Sequence, residues 1–144
     1  MRHQWRGGVL FLLLSAVLVL QGEARQAPAL AGVYLVEGVN PDHSPYTGVV
    51  ELVAQGEQWQ LTWSFEPAGE AVGIGVLQGD VHAEIFQTDG GMIGLASYVV
   101  DRASTPLRLK AHWIIPGVAD VLSETLTKTT VTNPALLRGP RLGV

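Results

Sequence analysis

Apolar and polar residues alternate through most of the chain, from Ala31 to Thr130. Gly, Pro, Asp and Asn interrupt this alternation about every 8 to 12 residues, the spacing typical of sandwiches and barrels. No window of about 11 residues has a convincing helical period, so we expect little helix. The pattern predicts eight strands, over Gly32 to Glu37, Tyr46 to Val53, Gln58 to Phe65, Ala71 to Leu77, Val81 to Gln87, Met92 to Val100, Leu107 to Ile114 and Val121 to Lys128.

The alternation is clearest in the third and seventh predicted strands. The third has large apolar side chains at every second position from Trp59 to Phe65, and the seventh places Arg108, Lys110 and His112 between apolar residues. One buried face and one wet face indicate antiparallel sheet. Short connections favour an up-and-down meander, which predicts an all-β, eight-stranded antiparallel barrel of the avidin or lipocalin kind. A two-sheet β-sandwich is the alternative. Gly73 and Gly75, inside the fourth strand, are expected to mark a barrel corner.

The N-terminus predicts export. An apolar run from Gly7 to Leu20 follows Arg2 and Arg6, and small residues around Glu23 offer a cleavage site after Ala24. The expected organisation is a signal peptide over 1–24, one barrel domain over 25–130 and a flexible tail over 131–144. With no cysteine there is neither a disulfide framework nor a lipid-anchor thiol, so the expected location is the periplasm or the medium.

Charge and strand length exclude other classes. Residues 25–144 carry a formal charge of −5, which argues against nucleic acid, since such binding needs clustered Lys and Arg. All but one of the predicted strands are shorter than the roughly 9 to 11 residues that membrane strands need. Their outer faces are expected to carry Gln, Lys, Arg and His, so we predict no stable membrane insertion of the mature protein.

A family resemblance covers most of residues 31–128. The segment from Gly32 to Asp42, GVYLVEGVNPD, followed by Tyr46-Thr47-Gly48, resembles the GxYxVxGxNPDGSxYxG opening of a family of small exported bacterial proteins, many of them labelled fibronectin-binding. Further matches are the segment from Trp59 to Trp63, the pair Gly73 and Gly75, Trp113, Gly117 and Glu124-Thr125-Leu126. His43 departs from the family's glycine. The resemblance implies a secreted β domain with an extracellular matrix-type protein as a partner.

Candidate ligand-binding residues are aromatic side chains and one loop. Trp63 and Trp113, on the apolar faces of their strands, are expected to pack in the core, with a ligand pocket as the alternative. Tyr34, Tyr46 and Tyr98 are candidates to supply hydroxyl groups at its rim, with strand propensity as the alternative explanation. Asn40 and Asp42 belong to the loop from Val39 to Pro45, which we expect to form a contact surface at one barrel end together with the loop from Asp101 to Pro106.

The sequence contains no nucleophile motif. His82 and His112 alternate with Glu84 and Lys110, on faces expected to be solvated. No metal-binding spacing of His is present, so we predict neither a metal site nor a cofactor. The favoured function is therefore a non-enzymatic exported binding module for an extracellular protein or a small apolar ligand. The alternatives are an inhibitor of an extracellular enzyme, and a small hydrolase or isomerase that pairs His112, or else His82, with a carboxylate such as Glu124.

Overall fold

The computed structural model describes residues 29–66 and 69–137. It contains eight strands: β1 (Gly32–Val39), β2 (Pro45–Gln55), β3 (Gln58–Glu66), β4 (Glu70–Gln78), β5 (Val81–Thr88), β6 (Ile93–Asp101), β7 (Arg108–Ile114) and β8 (Leu122–Lys128). Each lies where the alternation predicts a strand. The predicted signal peptide, 1–24, lies outside the described residues.

The strands form a closed antiparallel barrel in the order β1 to β8. Each strand pairs with the next, and β1 pairs with β8 in a register that sets Gly38 opposite Glu124. The predicted up-and-down barrel is therefore confirmed, and the sandwich alternative is wrong. Closure leaves no strand edge with unpaired backbone groups.

Alternate residues of each strand face the barrel interior. On β3 these are Trp59, Leu61 and Trp63, and on β7 they are Leu109 and Ala111, followed by Trp113. All six are buried, which agrees with the core predicted for these two strands. The described part of the chain contains no helix that is long and apolar enough to cross a membrane.

Glycines on the inner faces make room for ring side chains. A Cβ on Gly73 would lie 2.9 Å from the Trp63 ring, and one on Gly75 would lie 2.8 Å from the His82 ring. Gly38 and Gly94 are covered in the same way by Tyr46 and Phe86. Aromatic rings laid over strand glycines are a known device in curved sheets. The glycines thus create space for these rings inside the barrel.

Strand β5 departs from the expectation of a solvated polar face. His82 is 0% exposed and Glu84 is 5% exposed, and both point into the barrel. Val81 and Ile85 of the same strand lie on the outside instead, whereas Phe86 faces the barrel interior. The prediction that His82 and Glu84 lie on a solvated face is wrong, because alternation defines two faces without saying which one closure turns inward.

The outer surface of the barrel also differs from expectation. The outer faces of β4 to β7 carry exposed large apolar side chains. They are Val72, Ile74, Val76, Val81, Ile85, Ile93, Leu95, Val99 and Ile114, which we call the outer apolar face. Polar outer positions are found on β3 and on most of β7. The expectation of uniformly polar outer faces is therefore wrong for β4 to β6.

Loops alternate between the two ends of an up-and-down barrel. The loops that follow β1, β3, β5 and β7 form one end, here the upper end, and those that follow β2, β4 and β6 form the lower end. The loop from Val39 to Pro45 is therefore at the upper end and the loop from Asp101 to Pro106 at the lower. The prediction that they share one end is wrong. His43, which stands at the family's glycine position, has a φ of 65°, the left-handed conformation that glycine favours.

The predicted tail begins with a short ordered segment. Pro134–Leu136 form a 3-10 helix, and the Asn133 side chain accepts a hydrogen bond from the backbone N–H of Ala135. Residues 138–144 lie outside the described part of the chain. The chain divides between Leu30 and Ala31, so the barrel and the 3-10 helix belong to one unit, Ala31–Val144.

Candidate functional site

A cavity of about 310 Å³ occupies the upper half of the barrel. It reaches the surface at the upper end, where the exposed residues Glu66 and Met92 border it. The residues that line it are Asn40, Tyr46, Trp63, Phe65, Glu66, Ala71, Phe86, Thr88, Met92, Ala96, Tyr98, Trp113 and Glu124.

Six aromatic rings form most of the cavity wall. Tyr46 meets Phe65 edge to face, with ring centroids 5.4 Å apart, and Phe86 meets Trp113 in the same way at 6.0 Å. Trp63 lies 6.4 Å from Phe86. Such edge-to-face contacts hold the rings in fixed orientations. The cavity therefore has a preformed apolar wall.

The buried carboxylate of Glu124 is the polar centre of the cavity. Tyr46 donates its hydroxyl hydrogen to Oε2 at 2.5 Å, and Tyr98 donates to Oε1 at 2.6 Å. The Trp63 indole contributes a further hydrogen bond to this group. Glu124 comes from β8, and its two tyrosine partners come from β2 and β6, so barrel closure assembles the group.

Burial dominates the electrostatics of this cluster. It raises the pKa of Glu124, while the hydrogen bonds from Tyr46, Tyr98 and Trp63 act in the opposite direction. Burial and the adjacent Glu124 carboxylate raise the pKa of both tyrosines above their ordinary value. The tyrosines therefore stay protonated at neutral pH, and their hydrogens remain available to the carboxylate.

A second buried polar pair lies next to the cavity. His82 Nδ1 is 3.5 Å from Glu84 Oε2, and neither side chain has a hydrogen-bond partner among the described residues. Burial lowers the pKa of His82 to about 4 and raises that of Glu84 to about 9, the latter with help from Glu124. Glu84 pairs across the sheet with Ala96, which lines the cavity. The pair therefore sits just below the cavity floor.

The structure brings four of the predicted ligand-binding residues together. Trp63, Trp113, Tyr46 and Asn40 all line the cavity. Trp63 and Trp113 are also 3% and 8% exposed, so they belong to the core and to the cavity wall at once. The two alternatives proposed for these tryptophans are thus compatible.

Tyr34 and Asp42 do not line the cavity. Tyr34 is fully buried on β1, with Lys128 Nζ 5.9 Å from its ring centroid, because its position near the start of β1 places it in the lower half of the barrel. Asp42 is exposed, and its carboxylate accepts hydrogen bonds from the backbone and hydroxyl of Ser44, which lower its pKa. It therefore shapes the β1–β2 turn.

The principal cavity residue that the sequence analysis did not place in a ligand site is Glu124. A signal for it was present, because Glu124 alternates with Leu122 and Leu126, both of which are buried. A polar residue in the middle of an apolar stripe faces the core with its neighbours. Phe86 carried no comparable signal, since its inward orientation depends on which face of β5 closure turns inward. Tyr98, one of the three tyrosines considered for the rim of a pocket, does line the cavity.

The proposed catalytic pair of His112 with Glu124 is wrong. His112 is exposed on the outside of β7, whereas Glu124 points into the barrel, so the sheet itself separates them. His82 does approach a carboxylate, Glu84, but neither residue lines the cavity. No group of three His, Asp or Glu side chains within residues 29–66 and 69–137 is arranged to hold a metal ion.

The sequence matches no protein-family model and no curated protein. The fold is similar to designed barrels of known structure. A redesigned β barrel aligns with a TM-score of 0.63 at 15% identity, covering 73% of this chain and 96% of its own. A redesigned β barrel bound to DFHBI aligns at 0.59 and 13% identity, covering 72% and 99%. A de novo designed fluorescence-activating β barrel aligns at 0.53 and 12% identity, covering 72% and 96%. The chain is therefore a small, closed, eight-stranded antiparallel barrel with the architecture of these designs.

Proposed function

We propose that the protein binds one small, largely apolar molecule inside the upper half of its barrel. The observation that carries the proposal is the cavity of about 310 Å³, with six aromatic rings and one buried carboxylate on its wall. Ligand sites are typically apolar concavities with a few placed polar groups. This cavity has that composition.

The size of the cavity limits the ligand. Pockets for small molecules span roughly 300 to 1,000 Å³, so this one is at the small end of the range. An engineered apolar cavity of about 150 Å³ holds benzene. A cavity about twice that size suits a ligand of one or two rings.

The similar designed barrels support the same function. Redesigned barrels with this architecture are bound to DFHBI, which demonstrates that a closed barrel of this size can hold a small molecule. At 12–16% identity the likeness extends to the fold alone. The cavity residues of this chain, rather than those of the designs, determine what it binds.

The site of action belongs to the proposal as well. The apolar run from Gly7 to Leu20 behind Arg2 and Arg6 supports export through a signal peptide. We propose that the exported protein binds its ligand in the periplasm or in the medium, without catalysing a reaction.

Nuclear magnetic resonance can test the cavity directly, with 2-phenylethanol as a one-ring probe. The indole N–H signals of Trp63 and Trp113 should shift on titration, whereas that of Trp59, buried in the lower half of the barrel, should not. Ala96→Phe places a ring in the cavity and should abolish the shifts. Ala83→Phe, on the exposed outer face of β5, is the matched control and should leave them intact.

Failure of the titration has a clear meaning. If 2-phenylethanol moves neither cavity tryptophan signal, or moves them equally in Ala96→Phe, the cavity does not bind small molecules. Native mass spectrometry of the protein purified from its own host would extend a positive result, because a retained mass would identify the natural ligand.

The outer apolar face supports a second candidate, a protein partner of the matrix type that the family resemblance implies. Exposed apolar patches on soluble proteins often mark interaction sites. Binding of immobilised fibronectin should then be lost in the double variant Ile74→Lys and Leu95→Lys, and retained in Ala96→Phe. Equal binding by both variants, or none by the wild type, would remove this candidate.

A further inference from the structure

The polar groups around Glu124 are arranged to accept hydrogen bonds. Tyr46 and Tyr98 already commit their hydroxyl hydrogens to the carboxylate, so only lone pairs remain on their oxygens. An ionised carboxylate likewise only accepts. A ligand group that reaches this point must therefore be a donor.

We propose that the cavity binds a protonated amine on a small ring-bearing body, with the ammonium group against Glu124 and the ring among the aromatic side chains. This inference rests on the proposed function and names its ligand class. An ammonium group supplies several N–H donors and a positive charge at the point where the cavity offers acceptors and negative charge.

Within residues 29–66 and 69–137, no cationic side chain lines the cavity to neutralise that carboxylate. None of its lining residues is Lys, Arg or His, and Glu66 adds a second carboxylate at the mouth. Glu84, buried below the floor, has a pKa raised by burial to about 9, so it is uncharged at neutral pH and offers no positive charge either. The indole N–H of Trp113 is buried and unpartnered, but an uncharged donor does not offset carboxylate charge. The missing charge must come from the ligand.

The surface around the cavity mouth is also rich in negatively charged residues. Five acidic residues lie in or next to the upper-end loops, namely Asp42, Glu66, Glu70, Asp89 and Asp120. The described Lys and Arg residues, Arg102, Arg108, Lys110 and Lys128, lie in the β6–β7 loop, on β7 and at the end of β8. None of these four is in an upper-end loop. A mouth of one sign concentrates ligands of opposite charge and speeds their entry.

The aromatic wall suits a cation as well as a ring. Cations bind favourably over the faces of Trp, Tyr and Phe within about 6 Å, and more strongly where water is excluded. Trp63, Tyr46 and Trp113 surround the space next to Glu124. The wall and the carboxylate therefore favour the same ligand group.

Burial of Glu124 also favours a cationic ligand. It raises the pKa of Glu124, which means that burial disfavours the ionised form of this carboxyl group. An ammonium group in contact would remove that penalty and stabilise the ionised form.

Three ligands of nearly equal size test the proposed ligand class separately from the proposed function. Calorimetric titration at pH 7 would compare 2-phenylethylamine, 2-phenylethanol and phenylacetate, which share the ring and spacer and differ in charge. A hydrogen-bonded charge is worth about tenfold or more in affinity, so the amine should bind at least about tenfold more tightly than the alcohol. The acid should bind more weakly than the alcohol.

The outcomes distinguish this inference from the proposed function. If the alcohol or the acid binds as tightly as the amine, the inference is overturned while the cavity remains a ligand site. If none of the three binds, the proposed function fails as well.

A matched pair of variants tests the role of Glu124. Glu124→Gln keeps the shape and removes the charge, so it should lower amine affinity about tenfold and leave the alcohol within about twofold. Glu37→Gln removes a charge at nearly the same height of the barrel but on its outer surface, since Gly38 is opposite Glu124. It should leave both affinities unchanged. An unchanged preference for the amine in Glu124→Gln would overturn the proposed contact between the ammonium group and Glu124. If this variant does not fold, the ligand series on the wild-type protein still tests the inference.

Discussion

Strands β5 and β7 both alternate polar and apolar residues, but the face that β5 turns into the barrel carries polar residues and the face that β7 turns inward is apolar. In β7 the apolar residues Leu109 and Trp113 point inward and His112 points to solvent. In β5 the polar residues His82 and Glu84 point inward, followed by Phe86. The apolar residues Val81 and Ile85 of the same strand are exposed. Alternation therefore reports that a strand has two chemically different faces. It does not report which face the barrel encloses.

Pairing with neighbouring strands decides the orientation of β5. Glu84 is opposite Gly75 on β4 and Ala96 on β6, and both neighbours are small inward positions. His82 fills the space over Gly75. Burying polar groups without partners costs free energy. The inward residues of β7 therefore stabilise the fold, whereas His82 and Glu84 on β5 destabilise it. Such local inconsistency is expected near functional sites, and the cavity lies directly above Glu84.

The largest effect is expected at the inward position of β7. Trp113→Ala should lower the free energy of unfolding by about 3–5 kcal/mol, since it removes a buried indole from a domain without disulfides. Trp63→Ala on β3 should behave alike. Urea denaturation measures both changes.

Two outward residues provide the controls for this loss. His112→Ala on β7 and Gln60→Ala on β3 should change stability by no more than about 0.5 kcal/mol. If Trp113→Ala melted with these controls, the indole would be contributing to ligand binding alone and not to the core.

A smaller effect is expected from pH, and it should come from β5. Glu84 has a folded pKa of about 9 against an ordinary value of 4.5, so between these two values the folded chain retains a proton that the unfolded chain has lost. Stability should therefore fall as the pH rises from 6.5 to 9, by about 5 °C or more in Tm. Glu124, whose pKa is also raised, acts in the same direction.

His82 acts in the opposite direction to Glu84. Its folded pKa of about 4 lies below its ordinary 6.5, so the unfolded chain binds a proton that the folded chain excludes, and this group loses stability as the pH falls from 6.5 to 4. Glu84 gains stability over most of the same interval, so thermal melts should show little change between pH 4.5 and 6.5 and a clear fall above pH 6.5. Glu84→Gln should flatten the alkaline side, whereas Glu37→Gln should not, and an equal slope in both variants would contradict the assignment.

The smallest expected effect is an increase in the free energy of unfolding. Glu84→Leu replaces a buried carboxyl group that has no hydrogen-bond partner, and should raise the free energy of unfolding by about 1–2 kcal/mol. Lys110→Leu, an outward change on β7, should give no comparable gain. A destabilised Glu84→Leu protein in chemical denaturation would mean that Glu84 makes a favourable interaction inside the barrel.

Much of the fold follows from local pattern. The eight strands and the antiparallel order are predictable because alternation and turn residues act over a few residues. The candidate site is predictable only where the pattern is unambiguous. Trp63 and Trp113 are inward because their strands alternate strongly, and the same logic applied to Leu122 and Leu126 would have placed Glu124 inside.

The sequence by itself determined where strands begin and end, that they are antiparallel, and which residues share a face, because these depend on side-chain period and turn chemistry. Only the tertiary structure decided that β5 encloses His82 and Glu84, that Tyr46 and Tyr98 meet at Glu124, and that the loops at Asn40 and Arg102 lie at opposite ends. Those facts depend on strand register and on pairing of β1 with β8, and no single strand carries the information that fixes its orientation in the closed barrel.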